Sequence, residues 1–354
     1  MSVVGERQVT FGIPPGSEAA APPERRGVPR DGVRLLVARP NGLDHRRFHD
    51  LPDLLESGDL VVVNTSATVP SAISGVRDDG RPTAVHAATQ LDDGDWVVEL
   101  RRLDGLGPDL AVSGGERVRL PAGLALRLVE PYPDAGAAVS RLWRGSPSRA
   151  VPLTRYLSAH GHPIGYRYLA GPVALEELQN VYATEPGSAE MPSAGRPFTA
   201  QLIVRLITAG VAVAPIVLHA GVSSPELHEP PTPERFTVPD ATARLVTGTR
   251  DAGRRVVAVG TTAVRALETA ALPDGGVRAG HGWTNLVLDR HRPVLVVTGL
   301  VTGLHDPEAS HLALLEAVAG PDLVEDAYRE AVEQRYLWHE FGDSMVFLPE
   351  TGGA

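Results

Sequence analysis

RVVAVGTTAVRALETAA occupies residues 255–271 and sets how the rest of the chain is read. It opens on Val256, Val257, Ala258 and Val259, a short apolar run rich in β-branched side chains that suits a buried strand. Gly260 breaks the run, and Thr261 or Thr262 can cap the helix that follows. Residues 263–268 are dense in helix formers, and Val264, Leu267 and Ala271 fall at i, i+3 and i+7 on one apolar face. The stretch reads as strand, tight turn, helix. Such a turn presents backbone N–H groups at the positive end of the helix dipole, a place suited to a carboxylate or phosphate. Arg265, one turn inside, can add a fork of donors to that anion. Alternatively it pairs with Glu268 at i, i+3.

Working outward, the same texture recurs on both sides. Residues 60–64, 211–218 and 294–298 are apolar runs expected to be buried strands, and 30–37 reads as a turn feeding another. Helices are expected over 199–209, 240–252, 311–319 and 323–333, with shorter ones at 49–57, 153–159 and 174–181. A Gly-Asp turn and a strand at 341–347 close the chain. Residues 1–28, rich in Pro, Gly, Ala and Glu, read as a loosely ordered lead-in. Residues 182–198 form a long Gly/Pro/Ser loop of the kind that often carries function.

Between residues 75 and 151 the texture changes. Short alternating runs at 83–89, 96–101, 117–120, 124–129 and 138–143 are separated by turns such as Asp78-Asp79-Gly80 and Asp92-Asp93-Gly94. A spacing of roughly 8–12 residues points to a small all-β barrel or sandwich. The expected organisation is an α/β main domain over 1–75 and 151–354, with residues 76–150 inserted as a barrel-like all-β domain.

The totals narrow the function classes. The chain has 354 residues, enough for two or three domains, and no cysteine. Disulfides, thiolate metal ligands and cysteine nucleophiles are therefore excluded. The start lacks the order of a signal peptide, and there is no apolar run of about 18 residues. The expectation is a cytoplasmic protein with no membrane partner. The net charge is −10 with no Lys/Arg block. A broadly basic nucleic-acid platform is absent, though a local arginine patch can still serve an RNA.

Histidines fall after two expected strands: His219 after 211–218, and His305 after 294–298. In an open α/β sheet, ligands bind outside the carboxyl ends of the strands. If the strands are parallel, His219, Gly260 and His305 share one mouth, where either imidazole can act as acid, base or hydrogen-bond donor. His160, His162 and His228 lack metal-ligand spacing, so no metal is expected.

Several segments together resemble the S-adenosylmethionine:tRNA ribosyltransferase-isomerase family of queuosine biosynthesis. The matching stretches are Gly58-Asp59-Leu60 through Asn64, Gln179 with Val181-Tyr182-Ala183, Pro186-Gly187-Ser188 through Ser193-Ala194-Gly195, Phe198-Thr199, His219-Ala220-Gly221, Gly260-Thr261-Thr262 through Glu268, Gly282-Trp283-Thr284, and Phe341-Gly342-Asp343-Ser344-Met345. Their order and spacing hold over nearly the whole chain. The resemblance implies an α/β domain with an inserted barrel. It implies transfer of the ribosyl group of S-adenosylmethionine to 7-aminomethyl-7-deazaguanine in the anticodon region of tRNA, with rearrangement to an epoxy-cyclopentane and loss of adenine and methionine. S-adenosyl-L-methionine is then a co-substrate, no metal is implied, and a monomer is expected. In this reading Gly260, Thr261, Thr262 and Arg265 hold an anion such as the methionine carboxylate. His219 and His305 handle protons, Tyr182 or Phe198 stacks on a base, and Asn64, Ser193 and Gly195 line the substrate.

This chain departs from the family's usual pattern in places. Asn64-Thr65-Ser66-Ala67 stands for Asn-Asp-Thr-Arg, and Arg196-Pro197 for Leu-His. Arg196 is the expected replacement for the missing polar groups. Two other functions stay open on the sequence: action on another adenosine-type small molecule, and non-catalytic nucleoside or RNA binding.

Overall fold

The computed structural model describes residues 11–349, apart from 106, 224–228, 230 and 308. In chain order the strands are β1 (Arg34–Arg39), β2 (Gly42–Arg47), β3 (Leu60–Asn64), β4 (Ser66–Thr68), β5 (Ala72–Arg77), β6 (Pro82–Gln90), β7 (Trp96–Arg101), β8 (Arg117–Arg119), β9 (Ala125–Pro131) and β10 (Leu142–Pro147). Helix α1 (Leu153–His160), β11 (Glu185–Ser188), α2 (Ala200–Thr208), β12 (Ala212–Leu218), β13 (Glu234–Val238) and α3 (Asp240–Asp251) follow. The chain ends with β14 (Val256–Val259), α4 (Thr261–Thr269), β15 (Gly280–Thr284), β16 (Gly299–Gly303), α5 (His311–Ala319), α6 (Pro321–Glu333) and β17 (Ser344–Phe347).

Nine strands form one mixed sheet in the order β15-β13-β12-β3-β14-β16-β17-β1-β2. Its centre, β12-β3-β14-β16, is parallel throughout. Each central strand is apolar on both faces because both faces are covered. Val62 and Ala258 face the core under α3 to α6, while Val61, Val63, Val257 and Val259 face the core under α2. Strands β5 to β10 make a closed antiparallel barrel. Alternation fills it with Val85, Trp96, Val98, Leu100, Val118, Leu126 and Leu128. The protein is thus an α/β domain carrying a closed all-β barrel.

Several expectations need correction. The strand expected at 294–298 starts at Gly299 instead. The Glu268 carboxylate accepts the amides of Leu295, Val296 and Val297 at 2.8, 2.9 and 2.9 Å, which removes them from any ladder. Gly299 then fits against β14, where a Cβ would lie 3.1 Å from Val257. The run expected at 138–143 forms its strand only from Leu142, because Asp134 closes a turn onto the Gly136 amide at 2.9 Å. The lead-in is packed, not loose. Ala19 is buried, and its neighbour Ser17 accepts the Trp338 amide at 2.8 Å. Residues 1–10 of that lead-in, and His228, lie outside the described residues.

Candidate active site

The parallel order of β12, β3, β14 and β16 brings Leu218, Asn64, Val259 and Gly303 to one edge of the sheet. His219 and Gly260 follow directly, and His305 comes two residues after β16. Asn64 ties this edge together. Its Oδ1 accepts the amides of Leu218 and Ser66, and its Nδ2 donates to the Leu218 carbonyl at 2.8 Å and to Thr262 Oγ1 at 3.2 Å. All four of its hydrogen bonds are made. Asn64 therefore ties the ends of β3 and β12 to the start of α4 through hydrogen bonds made within the protein.

His219 is the best-organised reactive group. Its Nδ1 lies 2.7 Å from Ser66 Oγ, which lies 2.7 Å from Ser188 Oγ. Ser188 Oγ accepts the Ala220 amide at 3.0 Å. The proton order that satisfies this chain runs from Ser188 to Ser66 to Nδ1, so the network assigns the ring proton to Nε2. Gly187 lies flat on the ring, where a Cβ would stand 2.5 Å from Nδ1. Burial first, and the Arg235 charge second, push the imidazole down to about 4. At neutral pH His219 is an uncharged hydrogen-bond donor. It borders a cleft of about 440 Å³ between the sheet and the barrel, walled by Gly187 and Arg235 on one side and by Ala87, Gln90 and Asp92 on the other.

Gly260 has φ 86° and ψ 156°, which only glycine adopts readily, and it occupies the N-cap position that the sequence had offered to Thr261 or Thr262. Its amide bonds to the Val301 carbonyl at 2.8 Å. The Thr261 and Thr262 amides, at the first turn of α4, take no partner among the described residues. Above Gly260 sits the turn Ser193–Gly195, with Ala194 Cβ 3.3 Å from where a Gly260 Cβ would be.

His305 stands apart. Its Nε2 meets Thr302 Oγ1 at 2.9 Å, and its ring stacks on His311 with centroids 4.7 Å apart. Burial, then the imidazoles of His311 and His339, hold its pKa far below the ordinary range. Three strand spacings, about 14 Å, separate β12 from β16, so His219 and His305 do not form one acid–base pair.

Four further expectations fail on geometry. Arg265 does not lean toward the helix start. It is buried, ion-paired with Glu234, and donates to the carbonyls of Leu286, Thr232 and Thr284. Nor does it pair with Glu268, whose carboxylate is taken by 295–297. Glu234 Oε1 in turn accepts the Gly221 amide at 3.0 Å. Arg265 is a positioning residue acting through Glu234 on the segment just after His219. Arg196 is buried against the opposite segment. It donates to the Glu177 carbonyl at 3.0 Å and pairs with Glu24 at 3.0 Å, so it replaces nothing at the mouth. Phe198 is fully buried edge-on to Phe48 and Tyr182 and cannot stack on a base. The Tyr182 hydroxyl abuts Gly195, where a Cβ would fall 2.1 Å away.

Sequence reasoning missed Ser66, Ser188, Gly187, Glu234 and Arg235. Gly187 and Ser188 had one signal, membership of the matching segment 186–188; Ser66 stands in a stretch that departs from the pattern, and Glu234 and Arg235 lie in no matching segment.

Fold and site together define an α/β protein with an inserted barrel, whose polar groups gather at the carboxyl ends of parallel strands beside a barrel-lined cleft. A family model described as queuosine biosynthesis protein matches residues 7–347. The chain belongs to this family. It is 37% identical over 331 residues to the S-adenosylmethionine:tRNA ribosyltransferase-isomerase of Symbiobacterium thermophilum, covering 90% of this chain and 94% of that one. It is 34% identical to the protein of the same name from Moorella thermoacetica, covering 96% and 98%. The crystal structure of S-adenosylmethionine tRNA ribosyltransferase from Thermotoga maritima matches with TM-score 0.52 and 28% identity, over 96% of this chain and 99% of that one.

Proposed function

We propose that the protein is an S-adenosylmethionine:tRNA ribosyltransferase-isomerase. It moves the ribosyl group of S-adenosylmethionine onto 7-aminomethyl-7-deazaguanine in the anticodon region of tRNA, with rearrangement to the epoxy-cyclopentane. The full-length likeness to relatives of that name supports the reading. The observation that carries it here is the His219–Ser66–Ser188 chain at the edge of the cleft. Adenine leaves with a bonding pair, and neutral His219, with its N–H on Nε2, is placed to hydrogen-bond the nitrogen on which that charge builds, while solvent supplies the proton itself. The free amides of Thr261 and Thr262 suit the methionine carboxylate at the positive end of α4. The chain on either side of the barrel formed by β5 to β10 acts as the catalytic unit. The chain works as a monomer in the cytoplasm, where its tRNA substrate is, and needs no metal. Among the described residues no helix is long and apolar enough to cross a membrane.

The test is adenine release from S-adenosylmethionine by the full chain, with tRNA carrying the deazaguanine base. Release should require both substrates and fall at least a hundredfold in His219→Ala, the range for removing one donor to charge that develops in the transition state. Release without tRNA, or an unaffected His219→Ala, would refute the assignment.

A further inference from the structure

The barrel has an outer face whose arginines no described residue neutralises. Strands β8 and β9 pair antiparallel, with Arg117 directly opposite Arg127 and Arg119 two residues along on the same face. All three are exposed, while Val118, Leu126 and Leu128 between them point into the barrel core. Like charges directly opposite each other weaken a ladder. Among the described residues none of the three has an ion-pair or hydrogen-bond partner for its guanidinium. The nearby acids are already taken, since Asp109 and Glu116 both pair with buried Arg77. Elsewhere Arg46, Arg81, Arg102, Arg244 and Arg329 each sit on an Asp or Glu. On a chain of net charge −10, an uncompensated arginine row is a local reversal of sign.

The row also leads toward the cleft. Arg119 runs into the turn Pro121–Gly123, and the Pro121 carbonyl accepts the Tyr156 hydroxyl at 2.7 Å. Tyr156 lies on α1, and Leu153, Thr154 and Leu157 of that helix line the cleft beside His219. Exposed Arg155 projects from the same helix.

We propose that the outer face of β8 and β9, built on Arg117, Arg119 and Arg127, docks the phosphate backbone of the RNA whose base enters the cleft. Charge complementarity selects a polyanion, and continuity through α1 to the cleft selects the RNA over a membrane surface. This inference rests on the proposed tRNA-modifying function.

The experiment uses the full chain and compares wild type with the triple variant Arg117→Gln/Arg119→Gln/Arg127→Gln. Binding of bulk tRNA is measured from 50 to 300 mM KCl, with adenine release and S-adenosylmethionine binding alongside. The triple variant should bind tRNA at least tenfold more weakly at low salt. Its log–log salt slope should be shallower by about two to three. S-adenosylmethionine affinity should not change, and the triple Arg→Lys variant should keep the wild-type slope. If the Gln variant fails to fold, Ser146→Glu, opposite Arg127 on β10, adds a negative charge to the same face and should weaken tRNA binding in the same way. Wild-type adenine release with unaltered tRNA affinity and slope in the variants would overturn the docking surface while leaving the function intact. A wild type that binds no tRNA overturns both. Loss of binding to anionic phosphatidylserine vesicles with tRNA binding unaltered would assign the face to a membrane and overturn the proposal.

Discussion

Ser66 and Ser188 do for His219 what no residue of the histidine's own strand can do. They fix the tautomer of the ring, which leaves its proton on Nε2. Where the family usually carries Thr, this chain has Ser66, so the hydroxyl is kept although the flanking Asp and Arg are not. Ser66→Ala leaves Nδ1 without its 2.7 Å partner. Adenine release should drop roughly tenfold or more, while stability changes by about 1 kcal/mol, the net worth of one hydrogen bond; parallel kinetics and thermal melts check both. Acid titration tests the buried imidazole independently. The folded pKa of about 4 lies below the ordinary value of 6.5. Between these two values the unfolded chain binds the extra proton, so stability falls as pH drops from about 6.5 to about 4. His219→Gln removes that dependence. The stability gap between variant and wild type should therefore move in the variant's favour across this window and be constant above it, as read from urea midpoints.

At the scale of elements, α4 is the point on which the expectation and the structure differ most usefully. An amphipathic helix was expected, yet residues 263–268 are all buried, Arg265 and Glu268 included. The helix lies between the sheet and α5, so even its charged residues must find partners inside. Arg265 holds β13 through Glu234, and Glu268 holds the approach to β16. Breaking a buried ion pair leaves an uncompensated charge at a cost of about 3–5 kcal/mol. Arg265→Ala should therefore show a large fall in melting temperature, and Arg265→Met with Glu234→Gln should recover most of it. Were Arg265 an anion ligand, the melt would hardly move and only substrate binding would suffer. Glu268→Ala strands three amides and should likewise destabilise by several kcal/mol, at about 1–3 kcal/mol per unsatisfied group. Slower hydrogen exchange at Leu295, Val296 and Val297 in wild type than in the variant would locate the effect.

For the whole molecule, the question is how the barrel is held against the sheet. Buried Arg141, just before β10, joins Glu99 on β7 at 2.7 Å to Glu229 at 2.7 Å and to the Val222 carbonyl at 2.9 Å. A second clasp joins Asp92 to Arg235 and to the Trp283 indole. Both clasps grip the segment that leaves His219 and returns at β13. Arg141→Ala leaves buried Glu99 with Arg101 at 2.9 Å but without its second arginine, and should cost about 1–3 kcal/mol. It should also raise hydrogen exchange at Val222 and Ser223 and lower turnover more than it lowers S-adenosylmethionine affinity. An unchanged exchange pattern there would mean that the Arg141 clasp does not hold this segment.

The sequence by itself determined the elements and their class. The run at 256–259, with Gly260 and the helix formers after it, specified strand, turn and helix because these depend on neighbours within a few residues. Alternation and turn dipeptides likewise marked the all-β insert. The strand expected at 294–298 was misplaced because its amides answer to Glu268, some thirty residues away. Side-chain destinations were decided only by the tertiary structure. Arg265, Arg196 and Phe198 have the chemistry of ligand contacts, but burial and long-range partners assign them to the framework. The Ser66–His219–Ser188 chain is drawn from three segments that become neighbours only when β12 pairs with β3 and β11 with β4. A serine's role depends on what it faces, and what it faces is set by strand order, which no local pattern encodes.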